Sequence, residues 1–166
     1  ASWSRILGDL VAGKVLTEVL TIPEGFTLRQ MAERIGVIAL RAPDSVLAEL
    51  TADSLHQRWG VPGPGLEGYL FPDTYRFASG TAVEEVVRAM VARYREEWTL
   101  EKGARRDALG MTEREVMTLA SIVQAEARLL DEMPLIASVY HNRLKRGMLL
   151  QADPTVLYAL GGPRPR

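Results

Sequence analysis

The sequence predicts an α+β fold, in which a small strand, turn and helix module is followed by a mainly helical part, and three observations carry that reading. A β-branched stretch runs to Ile22 and breaks at Pro23-Glu24-Gly25. The pattern Thr-x-x-Gln/Glu occurs at Thr27, Thr81 and Thr112, each time ahead of apolar residues at helical spacing. Between the first and second of these lies a stretch too rich in glycine and proline to hold a regular element.

Along the chain, Ile6, Leu7, Leu10 and Val11 fall on one side of an amphipathic helical turn, and Val15, Leu16, Val19 and Leu20 lead into the strand that ends at Ile22. Thr27-Leu28-Arg29-Gln30 opens a helix carrying Leu28, Met31 and Ile35, which Gly36 is expected to stop. A further short helix or pair spans Asp44 to about Arg58 on Val46, Leu47 and Leu50, closing a module at residues 1–58. The second part, residues 59–166, starts with a loop-rich hinge or cleft wall through Gly60-Val61-Pro62-Gly63-Pro64-Gly65 and Pro72-Asp73. From Thr81 onward it is helical, with Val83, Val87, Met90, Val91, Tyr94 and Trp98 on one face. The helix opened by Thr112 runs through Glu126; the next starts at Asp131 with Pro134 and ends at Gly147. Met148 to Ala152 is extended, and Asp153-Pro154 supplies an N-cap and first-turn proline for a last helix on Val156, Leu157 and Tyr158.

Composition narrows the function classes. A chain of 166 residues buries roughly 70% of its unfolded surface and needs neither metal nor disulfide to fold. Lys plus Arg number 20 against 21 Asp plus Glu, a balance that gives no electrostatic argument for nucleic acid and disfavours a helix-turn-helix regulator. The absence of cysteine removes disulfides, thiolate metal sites and a thiol nucleophile. His56 and His141 lack a His-Glu-x-x-His spacing, so no metal is expected, and the glycines lack the phosphate-binding fingerprints. No apolar run is long enough to span a bilayer and Ala1-Ser2-Trp3-Ser4-Arg5 is not a signal peptide, so the chain as written reads as soluble. It begins without methionine and stops in Gly161-Gly162-Pro163-Arg164-Pro165-Arg166, as an excised piece would.

The chemistry concentrates on Glu126. At about 100° per residue, Leu119, Val123, Glu126 and Leu130 share one narrow helical face, so this carboxylate faces apolar surroundings. Such a group pairs, lines a cleft, or stays protonated with a raised pKa, and the last state is what a general acid needs. A structural ion pair or a place at a solvated edge are the plainer readings. Asn142 and Arg143, then Gln151, Asp153 and Thr155, are polar residues near it in sequence, and Asn142 lies beside the apolar stripe of its helix. Glu67 sits in Leu66-Glu67-Gly68-Tyr69-Leu70-Phe71-Pro72-Asp73-Thr74-Tyr75, an aromatic loop suited to stacking on sugar rings and equally to packing.

That loop, together with Leu119-Ala120-Ser121-Ile122-Val123-Gln124-Ala125-Glu126, Ala137-Ser138-Val139-Tyr140-His141-Asn142-Arg143-Leu144 and Gly147-Met148-Leu149-Leu150-Gln151-Ala152-Asp153-Pro154-Thr155, resembles the MltG-like (YceG-like) endolytic murein transglycosylases of bacteria. Leu20-Thr21-Ile22-Pro23-Glu24-Gly25-Phe26-Thr27 resembles the LysM-like part of that family. The resemblance implies a LysM-like module followed by a lysozyme-like catalytic domain truncated at its C-terminus. It implies that Glu126 is the catalytic acid and that Glu67, Asn142, Gln151, Asp153 and Thr155 line the substrate groove, with no cofactor. Gln124 stands where the family often has another glutamate. The implied substrate is the peptidoglycan glycan strand, cut between N-acetylmuramic acid and N-acetylglucosamine to leave a 1,6-anhydro end. The implied location is the extracytoplasmic face of the bacterial cytoplasmic membrane, through an N-terminal anchor absent from this chain, with cell-wall synthases as partners. A water-using muramidase and a non-catalytic glycan-binding scaffold are the alternatives.

Overall fold

Thr17–Thr21 forms β1, and the turn at Pro23 delivers the chain to Thr27, whose side chain and backbone N–H close a capping box with Gln30 at the start of α2, Leu28–Ala39. The computed structural model describes residues 3–11, 17–52, 55–63 and 65–161, without the side chains of Arg5, Ile6, Asp9, Leu10, Leu55 and His56. The expectations for Ile6, Leu10, Val15, Leu16, His56, Pro64 and the tail beyond Gly161 lie outside the described residues. Helices combine with one two-stranded sheet, an α+β arrangement. The chain divides into two compact units, Ala1–Arg95 and Glu96–Arg166.

In the first unit, α1 spans Trp3–Val11. The helix α2 buries Leu28, Met31, Ala32, Ile35 and Ile38 on one face and runs past Gly36 to a left-handed cap at Leu40. Gly36 is therefore not the stop that the sequence suggested. A Cβ there would lie 2.8 Å from the Arg41 carbonyl oxygen, so the missing side chain lets the chain fold back closely into α3, Pro43–Leu50. The short α4, Leu55–Trp59, completes the anticipated helix pair.

The loop-rich middle holds a strand that the sequence reading missed: β2, Thr74–Ala78, pairs antiparallel with β1 in a register from Thr17 opposite Ala78 to Thr21 opposite Thr74. Ile22 N–H extends the ladder to the Asp73 carbonyl at 3.0 Å. This pairing draws the aromatic loop into the first unit. Leu66, Tyr69 and Leu70 are buried, Phe71 N–H reaches the Met90 carbonyl, and the Tyr69 and Tyr94 rings meet edge to face at 5.4 Å. Met90 and Tyr94 belong to α5, Val83–Glu97, which buries Val83, Val86, Val87, Met90, Val91 and Tyr94. The first unit thus continues through Arg95, with the sequence boundary at 58/59 falling inside it.

Two details at α5 differ from expectation. Thr81 donates its hydroxyl to the Ala78 carbonyl and Glu84 pairs with Arg58 and Arg88, so neither makes the anticipated capping box. Trp98 lies beyond the end of the helix, with Arg106 over its ring.

In the second unit, α6, Leu100–Leu109, begins at a Thr99 cap and ends at Gly110; the sequence reading did not single it out. The helix α7, Glu113–Glu126, opens with the anticipated Thr112/Glu115 capping box. A 3-10 turn, Leu130–Glu132, holds Asp131 and leads into α8, Met133–Lys145, so Asp131 is not its cap. Gly147 at φ 64° ends that helix, and α9 spans Asp153–Ala159. A small core of Ile122, Val123, Tyr140 and Ala152 joins α7, α8 and the start of α9, with Leu119, Met133, Ile136, Ala137 and Leu150 packed against it.

Candidate active site

Glu126 is the last residue of α7, and the turn after it shapes its surroundings. Ala127 takes the backbone to an extended conformation, and the Glu132 carboxylate then accepts from Arg128 N–H at 3.1 Å and Leu129 N–H at 3.2 Å. Leu130 is consequently off the helix and 79% exposed, so it does not continue the apolar stripe. Leu119 and Val123 remain on the core side. Glu126 is half-buried.

The Glu126 carboxylate accepts a hydrogen bond from the Tyr140 hydroxyl at 3.1 Å. Tyr140 is itself 7% exposed. Its phenol is held above its ordinary pKa by burial first, then by the hydrogen bond to Glu126 and the negative charges of Glu126 and Asp153, with Arg143 opposing. It therefore stays protonated, and able to donate, throughout the range in which a carboxylate titrates.

Glu126 borders an open cleft of about 460 Å³ lined by one face of α8 and by the segment leading into α9. Leu135, Ile136 and Val139 form an apolar wall, with Tyr140 and Arg143 further along the same face; Gln151 and Asp153 supply polar groups. Arg143 donates to the Leu150 carbonyl and lies 6.0 Å from the Tyr140 ring centroid. Gln151, at φ 51°, is in the left-handed region that a non-glycine residue enters at a cost of about 1–2 kcal/mol. Such a conformation persists where neighbours over-determine it. Here Leu150 and Ala152, on either side, are packed into the core.

The structure thus brings Glu126, Gln151 and Asp153 of the anticipated residues to one cleft. Asp153 is the first residue of α9; the N-cap position is Ala152, so Asp153 is not the cap that the plainer sequence reading gave it. Asn142 and Thr155 do not border the cleft; the Thr155 hydroxyl donates to the Ala152 carbonyl at 2.7 Å. Glu67 lies in the first unit, where its carboxylate accepts from Leu28 N–H at 3.2 Å and so serves the amino end of α2. Burial raises its pKa, with that hydrogen bond acting in the opposite sense. Sequence reasoning missed Tyr140 as the partner of Glu126. No sequence signal marks the pair, because the two residues stand on different helices and spacing across the turn between them does not reveal which faces meet. Among the described residues, no group of three or more His, Asp or Glu side chains is arranged to hold a metal ion.

Comparison with known proteins gives a consistent set of likenesses. A profile of the YceG-like family matches residues 1–166. The chain is 33% identical over 162 residues to an endolytic murein transglycosylase of Streptococcus pneumoniae strain R6, an alignment covering 86% of this chain and 29% of that protein. It is 32% identical over 165 residues to an endolytic murein transglycosylase of Bacillus subtilis, covering 89% and 45% respectively. The crystal structure of a yceG-like protein from Listeria monocytogenes superposes with a TM-score of 0.79 at 31% identity, over 98% of this chain and 59% of that one. The chain spans less than half the length of these curated relatives.

Proposed function

Because the chain belongs to the YceG-like family, we propose that it carries the catalytic region of an endolytic peptidoglycan transglycosylase, with Glu126 as the acid. Glu126 protonates the glycosidic oxygen between N-acetylmuramic acid and N-acetylglucosamine, and the leaving sugar departs. The acetamido group of the substrate stabilises the positive charge at the anomeric carbon, as in other substrate-assisted sugar enzymes. The Glu126 carboxylate then takes the proton from the muramic 6-hydroxyl, whose oxygen closes the 1,6-anhydro ring. No water is consumed.

The observation that carries this reading is the placement of Glu126: at a helix end, half-buried, hydrogen-bonded by Tyr140 and open to a cleft with an apolar wall and a polar one. Gln151 and Asp153 contact the glycan in this reading, while Asn142 and Thr155 support the site from outside the cleft and Glu67 braces the first unit. The β1, turn and capped α2 sequence supports a LysM-like role for the amino-terminal part, and the acid at the end of α7 supports a lysozyme-like role for the second unit. The longer protein works on glycan strands at the outer face of the cytoplasmic membrane, alongside cell-wall synthases. No helix among the described residues is long and apolar enough to cross a membrane; in this reading the anchor belongs to the longer protein.

A water-using muramidase is the second reading, favoured by one observation: Asp153 lines the same cleft as Glu126 and supplies a second carboxylate. Mass analysis of products from purified glycan strands separates the two, since an anhydro end is lighter by one water than a reducing end. Glu126→Gln keeps the shape and removes the proton, and should lower cleavage by about 10²- to 10⁴-fold with glycan binding retained. Undiminished cleavage in that variant would sink the assignment of the acid. Binding without cleavage by the wild-type protein would leave the glycan-binding scaffold.

A further inference from the structure

One face of α8 reaches both the acid and the polar wall of the cleft. Tyr140 donates to Glu126 from a ring buried between α7 and α8, and Arg143, one turn further along, grips the Leu150 carbonyl next to the left-handed Gln151. The guanidinium of Arg143 also lies 6.0 Å from the Tyr140 ring centroid, so the two contacts share a neighbour. Glu126 itself is at a helix terminus, where the backbone hydrogen bonds that hold a mid-helix residue are no longer complete. A half-exposed carboxylate in that position has several rotamers open to it, and a buried donor selects one.

We propose that Tyr140 is the positioning residue for Glu126, fixing through its hydroxyl the direction in which the acid meets the glycosidic oxygen, with Arg143 backing its ring. This rests on the reading of Glu126 as the acid and adds the group that aims it. Tyr140 touches no reacting atom in this role. Its hydroxyl lowers the number of carboxylate orientations, and a misplacement of about 1 Å at a reacting group lowers rates by about 100-fold. The charged and titratable groups facing Tyr140 are Glu126 at the end of α7, Arg143 on its own helix and Asp153 at the start of α9.

The test is Tyr140→Phe, which keeps the ring in the core and removes only the donor, measured on glycan strands beside wild type and Glu126→Gln. The expected result is a fall in kcat of about 10- to 100-fold with KM little changed and a melting temperature lowered by no more than the loss of one part-buried hydrogen bond. A purely structural Tyr140 would move the melting temperature and leave kcat alone. A second measurement requires no turnover: ¹³C NMR titration of the labelled tyrosine ζ carbons in wild type and Glu126→Gln. The Tyr140 phenol should titrate at lower pH in Glu126→Gln, since a carboxylate that raises it is gone. An unchanged Tyr140 titration, or an inactive Glu126→Gln beside a fully active Tyr140→Phe, overturns the positioning role alone. A fully active Glu126→Gln overturns the acid assignment and this inference with it.

Discussion

The two units bury their apolar residues very differently. Among the described residues, nineteen buried hydrophobic side chains lie in Ala1–Arg95 and four in Glu96–Arg166, although the second unit holds the catalytic candidate. The first unit buries residues of α2, α3, α5 and the loop around Leu66 and Tyr69. The second leaves Leu135 at 70% exposure and Val139 partly open because they line the cleft. Leu129, Leu149 and Tyr158 are exposed as well. A binding surface that must accept a partner cannot also be buried, and sites are commonly drawn from the less stable end of a molecule. Packing therefore governs the first unit, and a few directed polar contacts govern the second.

Core truncation probes this most severely. Leu50→Ala, at a fully buried position, should destabilise the first unit by about 2–5 kcal/mol, whereas Ile122→Ala in the thinner core should sit at the low end of that range. Urea unfolding followed by a probe in each unit reads both, and an equal loss would erase the distinction between them. Next in size, Gly36→Ala should destabilise the first unit by about 1–3 kcal/mol, because the new methyl meets a backbone carbonyl that cannot swing away. A neutral result would mean that α2 and α3 adjust more easily than a close-packed unit allows.

Two smaller effects address the same contrast. Thr112→Ala removes the cap of α7 and should lower the stability of the second unit by about 1 kcal/mol without changing the first, as judged by amide exchange in each. The smallest effect is electrostatic. Since burial raises the Glu67 pKa in the folded protein, the native state holds its proton at pH values where the unfolded chain has released it. Stability of the first unit should therefore fall as pH rises from the ordinary glutamate value through the raised one. Glu67→Gln should flatten that slope in a series of denaturant midpoints, and an unaltered slope would assign the pH dependence elsewhere.

Much of this was legible in the residues, and the exceptions have physical causes. The helices opened by Thr27 and Thr112 were readable because the capping box is a local device with a fixed spacing. Strand β2 was hidden: Thr74-Tyr75-Arg76-Phe77-Ala78 suits a strand, but its partner is β1, far away in the chain, and the neighbouring Pro72-Asp73 argued for a loop. Gly36 looked like a helix stop because close approach and a left-handed cap use the same residue for different reasons. Glu126 was found from an apolar stripe that in fact ends with it; the turn braced by Glu132 removes Leu130. Gln151 and Asp153 were singled out as polar residues near Glu126 and given a groove role by resemblance, and their meeting with Glu126 depends on the fold of three segments. Asn142, read from the edge of a helical projection, does not border that cleft.

The segment between Gly147 and α9 is exposed at Met148 and Leu149 and held beyond them. Ala152 is buried in the core with Leu150 packed against it, Arg143 holds the carbonyl between them, and Gln151 makes the link with a left-handed backbone. Its length is therefore as much a part of the site as its composition. A single-residue insertion at 150–152 would push either Leu150 or Ala152 out of its seat, so a scan of insertions along the second unit should find this stretch closed to indels, while the surface turn around Gly110 tolerates them.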